Sequence, residues 1–176
     1  MEKVIDKKTT YKGKVVSVEE VEIDFNNGNV STFERVKFNV ETGVSALPMD
    51  KSGNIILIKH FQLGVGKRII TLPTGGLEKG EDPKKRMAME LQEEIGFYPN
   101  KLTLLMRAHA IPGYVGTEPF YIYLAEDLVP SKTKGDELED IEVIKIPYDK
   151  VVEMIKNGEI EDSRIIMAVL FHQKFF

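Results

Sequence analysis

The chain has 176 residues, which suits one domain or one domain with a small appendage, and is long enough to bury a sizeable core. With 42% hydrophobic and 30% charged residues, a net charge of −4 and no basic run, it has a globular composition without a nucleic-acid footprint. The absence of cysteine excludes disulfides, thiolate catalysis and zinc–thiolate sites.

No apolar run approaches membrane-spanning length, and Met1–Lys12 lacks the apolar segment of a signal peptide, so a cytoplasmic protein is expected. Residues 13–25 alternate apolar and polar around Val16, Val18, Val21 and Ile23, the pattern of a strand. Asn26-Asn27-Gly28-Asn29 signals a turn, and residues 30–40 read as the returning strand. Residues 1–42 are therefore expected to form a small antiparallel β extension, with the main domain at 43–176. Two strands are marginal alone, so the extension is expected to pack on the main domain or on a second subunit.

Val44–Met49 reads as an apolar strand, followed by the turn Asp50-Lys51-Ser52-Gly53-Asn54. Ile55–Ile58 is a continuous apolar run, as in a strand covered on both faces. Lys59–Lys67 is expected as a loop or edge segment, and Arg68–Leu72 as a short strand ending in Pro73-Thr74-Gly75-Gly76. A helix follows, with Asp82 as N-cap, Pro83 at the first helical position and Gly96 as the stop. Leu102–Ile111 and Pro119–Ala125 read as paired strands around a loop at Pro112–Glu118. Val129–Asp140 reads as a polar, flexible loop, Ile141–Ile146 as a strand, and Tyr148–Asn157 and Ser163–Phe175 as two closing helices. Mixed strands with helices on their faces make an α/β or α+β sandwich.

The helix after Asp82 carries the chemistry. At 100° per residue Glu90, Glu93 and Glu94 fall at about 0°, 300° and 40°, one acidic stripe. Met87, Ala88, Leu91 and Ile95 fall at about 60° to 160°, an adjacent apolar stripe that can be buried. Three like charges this close repel one another, and such a group of carboxylates suits a hard cation, Mg²⁺ or Mn²⁺. Met87 and Met89 are expected to fill the core. His60, His109 and His172 follow no metal-ligand spacing and are expected to be structural or surface residues.

The spacing Gly75, five residues, Glu81, seven residues, Met89-Glu90-Leu91-Gln92-Glu93-Glu94-Ile95-Gly96-Phe97 resembles the box of the Nudix hydrolases. Each fixed position (Gly75, Glu81, Glu90, Glu93, Glu94, Gly96) matches except one, where Met89 stands in place of an arginine. Other segments resemble the ADP-ribose pyrophosphatase and ADP compounds hydrolase branch: Phe33-Glu34-Arg35, Leu72-Pro73-Thr74-Gly75-Gly76 against its LPAG, Pro112-Gly113 to Glu118, and the acidic Asp136-Glu137-Leu138-Glu139. The resemblance implies a Nudix-fold α/β/α sandwich with a mixed sheet and an N-terminal antiparallel β extension. It also implies Mg²⁺-dependent hydrolysis of a nucleoside diphosphate linked to another group, such as ADP-ribose, NADH or a diadenosine polyphosphate, with Mn²⁺ as a substitute ion.

By the same resemblance Glu90, Glu94 and the Thr74 carbonyl are metal ligands, Glu93 is a supporting catalytic member, and Glu139 reaches the metals from its loop. Glu137 is the general base, with Glu118 as the alternative. Phe33, Arg35, Gly75 and Gly76 line the substrate pocket. Gln62 stands where many ADP-ribose enzymes have a phosphate-binding arginine, and Lys59 and Arg68 are the nearest cations to replace it. Arg86, four residues before Glu90, is placed to replace the missing box arginine. The family's branch implies a homodimer acting on a small nucleotide, without nucleic acid or membrane. Two further readings stay open: a nucleotide-sugar pyrophosphatase of the GDP-mannose type, and a Nudix-fold binding module without catalysis.

Overall fold

The computed structural model describes residues 1–109, 111–116, 118–134 and 140–176. Strands β1 (Lys3–Lys12), β2 (Val16–Asp24) and β3 (Val30–Phe38) form an antiparallel sheet in that order. The turn between β2 and β3 takes positive φ at Asn26 and Gly28, as its Asn-Gly composition demands. The extension thus has three strands where two were expected. Every residue of β1 is exposed, so no buried face imposed an alternating pattern on it. Its pairing with β2 is a matter of backbone hydrogen bonds, which leave no mark on side-chain type.

The rest of the chain runs β4 (Thr42–Pro48), β5 (Asn54–Gln62), β6 (Lys67–Thr71), β7 (Thr74–Leu77), α1 (Pro83–Glu94), β8 (Phe97–Ala108), β9 (Phe120–Pro130), β10 (Glu142–Pro147), α2 (Tyr148–Lys156) and α3 (Ser163–Phe175). One sheet has the order β7-β4-β9-β8, with β4 and β9 parallel; the other has the order β10-β5-β6 and is antiparallel.

Alternate residues of the central strands feed two cores. Leu47, Ile55, Leu57, Ile122 and Leu124 meet Val151 of α2 and Ile165, Ala168 and Val169 of α3. Val44, Ala46, Ile56, Ile58, Tyr123 and Ala125 meet Met87, Leu91 and Ile95 of the α1 segment. The apolar run Ile55–Ile58 is therefore covered on both faces, as a strand inside an α/β/α sandwich must be. Burial between these layers pushes the Tyr123 hydroxyl up to about 12. Among the described residues no helix is long and apolar enough to cross a membrane.

Four local expectations are corrected. Lys59–Gln62 is not a loop: it extends β5 and pairs with Lys67–Ile70 of β6. Thr74–Leu77 is a strand, antiparallel to β4, although its two glycines depress strand propensity. Val129 and Pro130 still belong to β9, opposite Tyr98 and Phe97. Met89 is 48% exposed rather than in the core. It lies about 160° round the helix from the buried Leu91, so only Met87 of the pair faces inward.

Candidate active site

The site forms where β7 passes over α1. The Asp82 carboxylate caps the helix, accepting from Lys84 N at 2.8 Å and Lys85 N at 3.0 Å, and Gly96 ends it at φ 78°. The Lys132 ammonium donates to the carbonyls of Glu93 and Glu94, closing the negative end. Helix register then sends Glu90 and Glu94 toward β7. Both are buried, at 3% and 6% exposure, while Glu93 beside them is half-buried. An acidic stripe on a helix is usually solvated; these two carboxylates are covered by the chain.

What covers them is the Thr74–Gly75 backbone. A Cβ on Gly75 would lie 1.9 Å from Glu90 Oε1 and 2.3 Å from its Cδ, so only glycine lets the strand come this close. Thr74 N donates to Glu94 Oε2 at 2.9 Å. Arg86, one turn before Glu90, forms an ion pair with Glu90 Oε1. The cation that the box lacks at Met89 is thus supplied from four residues before Glu90, and Met89 itself is on the outer face.

Two buried carboxylates beside the bare backbone of β7 are hard oxygen donors in a cradle that a side chain would fill, and they fit a hard divalent cation. Among the described residues no three His, Asp or Glu side chains are grouped to hold a metal. Glu137 and Glu139, expected as base and additional ligand, lie outside the described residues, as does the rest of 135–139.

The other expected residues fall in three places. Glu81 is exposed, and its carboxylate accepts from Glu78 N at 2.7 Å, which closes the turn before α1. Gly75 and Gly76 line a cavity of about 490 Å³ with Phe38, Val40, Thr74 and Arg164. A neighbouring cavity of about 870 Å³ shares Phe38 and Val40 and adds Arg35, Glu19 and Glu118. A third, about 300 Å³, adjoins Phe33, Arg35 and Gly116. The shared linings make one seam from Phe33 and Arg35 to the start of β7 at Thr74 and Gly75.

In that seam Arg35 donates to Glu19 Oε2 from Nε at 2.9 Å and from Nη2 at 2.8 Å, which holds the Glu19 carboxyl below its usual range. Phe33 packs edge-on against Phe25 at 6.1 Å. Glu118 is exposed, its carbonyl accepting the Thr42 hydroxyl at 2.9 Å.

Lys59 and Arg68 line none of these three cavities. Arg68 is drawn instead to Asp140, at 3.3 Å, and donates to the Lys59 and Asp140 carbonyls at 2.9 and 3.0 Å. Gln62 is bonded to the His60 ring at 2.5 Å, and His60 in turn to the Thr71 hydroxyl at 3.1 Å, a structural role for that histidine.

One residue escaped the sequence reading. Arg164, in the first turn of α3, donates from Nη1 to Thr74 Oγ1 at 3.0 Å. The sole local signal was a cation in a helix's first turn, where the macrodipole disfavours it.

The chain is similar to known proteins. The family described as the NUDIX domain matches residues 40–169. An ADP-ribose pyrophosphatase of Bacillus subtilis (strain 168) is 31% identical, over 98% of this chain and 92% of its own. A GDP-mannose pyrophosphatase of Enterobacter sp. (strain 638) is 29% identical, over 84% of this chain and 81% of its own. A crystal structure of an ADP compounds hydrolase superposes with a TM-score of 0.85, over 99% of this chain and 93% of that one, at 23% identity.

Proposed function

This chain belongs to the Nudix family, and from that premise we propose that it hydrolyses the pyrophosphate bond of ADP-ribose or a related ADP compound, giving AMP and a phosphorylated moiety. The observation that carries this reading is the pair of buried carboxylates, Glu90 and Glu94, held against a strand at a closeness that only glycine permits. The preference for an ADP compound comes from the Bacillus relative's named activity.

Glu90, Glu94 and the Thr74 carbonyl would hold a divalent metal, Mg²⁺ by preference and Mn²⁺ as a substitute. When bound, such an ion neutralises the diphosphate and makes water a nucleophile near neutral pH. The chain's own residues prepare the place. Gly75 keeps the backbone within reach of Glu90. The Thr74 N–H fixes the orientation of the Glu94 carboxylate. Arg86 offsets the repulsion between two acids buried on one helix. Glu93, half-buried alongside, supports them. We assign proton abstraction from water to Glu137 on the acidic loop, with Glu139 as a further ligand, and Glu118 as the alternative base. The seam lined by Phe33, Arg35 and Gly76 takes the nucleoside and the group attached to it.

Residues 1–42 act as a β extension to the Nudix domain at 43–176, and we infer that they join two chains into a homodimer. Support comes from the exposure of Val4, Ile5, Tyr11 and Phe33 on a sheet whose edge strand is uncovered. Light scattering should give the mass of two chains; a monomer at micromolar concentration sinks the idea.

A GDP-mannose type of substrate is the second reading, favoured by the Enterobacter relative and by Gln62, which leaves no arginine at that position. A substrate panel in Mg²⁺ and in Mn²⁺, with products separated by chromatography, decides between them. ADP-ribose should yield AMP and ribose 5-phosphate. Release of GMP from GDP-mannose, with ADP-ribose intact, would overturn the first reading in favour of the second. No turnover of either would favour a binding module.

A further inference from the structure

We propose that Arg164 is a positioning residue of the metal site, acting through the Thr74 hydroxyl. The proposal rests on the reading of Thr74, Glu90 and Glu94 as metal ligands and extends it to α3. Asp162 is the N-cap of that helix and is 7% exposed. Its carboxylate accepts from Arg164 N at 2.8 Å, takes Arg164 Nε at 3.0 Å, and takes Nη2 at 2.6 Å. Those bonds fix the plane of the guanidinium, a rigid fork of donors. The remaining corner, Nη1, is thereby aimed at Thr74 Oγ1, 3.0 Å away.

Thr74 is locked by this contact. Its hydroxyl donates its single proton to Leu72 O at 2.9 Å. Toward Arg164, and toward Ser45 Oγ at 3.0 Å, it therefore accepts. One donor and two acceptor sites are all a hydroxyl has, and here all are used. The peptide so held is the one whose N–H fixes Glu94 Oε2 at 2.9 Å. It is also the one whose carbonyl is assigned to the metal. The LPAG segment that this turn resembles has alanine at this position. Threonine is what provides Arg164 with an acceptor, so the link belongs to this chain's own sequence.

The test measures Mn²⁺ binding to the metal-free protein, by loss of the free-ion electron spin resonance signal, together with hydrogen exchange of the Thr74 amide. Arg164→Gln should weaken Mn²⁺ binding by ~10-fold, as removal of an outer partner of a metal ligand does, and should speed the exchange. At saturating Mg²⁺ the KM for ADP-ribose should stay within about twofold: although Arg164 lines the cavity, its Nε and Nη2 are engaged by Asp162 and its Nη1 by Thr74. Arg164→Gln also deprives the buried Asp162 of its partner. Thr74→Val is therefore measured beside it, since it removes the acceptor and leaves the Asp162–Arg164 pair whole. It should weaken Mn²⁺ binding as much, and the double variant no further than either single one.

Wild-type Mn²⁺ binding in Thr74→Val overturns the proposal whether or not Arg164→Gln folds. So does a raised KM with unchanged Mn²⁺ binding in Arg164→Gln, which would make Arg164 a substrate contact. Glu94→Gln is run in parallel: if it binds Mn²⁺ as the parent does, the ligand assignment itself fails, a result distinct from any failure of Arg164.

Discussion

Glu94→Gln is expected to lower diphosphate turnover in Mg²⁺ by at least ~100-fold while leaving the fold intact. The substitution keeps shape and volume. The Thr74 N–H now bonded to Oε2 at 2.9 Å can still find an oxygen in the amide, so the backbone of β7 has no reason to move. What is lost is the negative charge at a site 6% exposed, where water cannot replace it. Melting temperature and kcat measured on the same preparation separate the two effects. Turnover equal to the parent's would mean that the mechanism proposed above is wrong.

Gly75→Ala should be nearly as damaging, for a steric reason. The added Cβ would come within 2.4 Å of Glu90 Cγ as well as meeting its carboxylate, and Glu90 is 3% exposed and tied to Arg86. Either the β7 backbone withdraws or Glu90 leaves its place; both take the carboxylate away from Thr74. Overpacking of this kind costs about 1–3 kcal/mol of stability. With Glu90 misplaced, kcat should fall by ~100-fold, the loss that follows from displacing a central metal ligand. Gly64→Ala, in the β5–β6 turn with nothing within 4 Å of its Cβ position, is the control and should leave both measurements unchanged. A Gly75→Ala protein with the parent's kcat would show that the close approach has no bearing on the chemistry.

Much of the site is legible locally because its determinants act within one or two helical turns. Asp82, Pro83 and Gly96 bound α1 through capping and φ preference, and the 3.6-residue period separates the glutamate stripe from Met87, Leu91 and Ile95. The same period places Arg86 beside Glu90, the pairing found in the structure. It also shows why Met89 could not be in the core. Strands were harder. β1 and β7 are joined to their sheets chiefly through backbone bonds, on an exposed edge in one case and over two glycines in the other. Neither carries the alternation that marks a half-buried strand.

By itself, then, the sequence determined the bounds of α1, the order of its acids and the apolar stripe beside them. Those follow from covalent geometry and from side chains a few residues apart. The tertiary structure decided which acids are buried and what holds them. Glu90 and Glu94 differ from Glu93 only once β7 lies across them. Arg164 matters to Thr74 only because the start of α3, 90 residues on, is packed beside β7. Nor do Lys59 and Arg68, apt by composition, line the seam, and Arg68 pairs with Asp140 instead. Contacts over that sequence distance are set by the packing of layers, and no local pattern of residues encodes them.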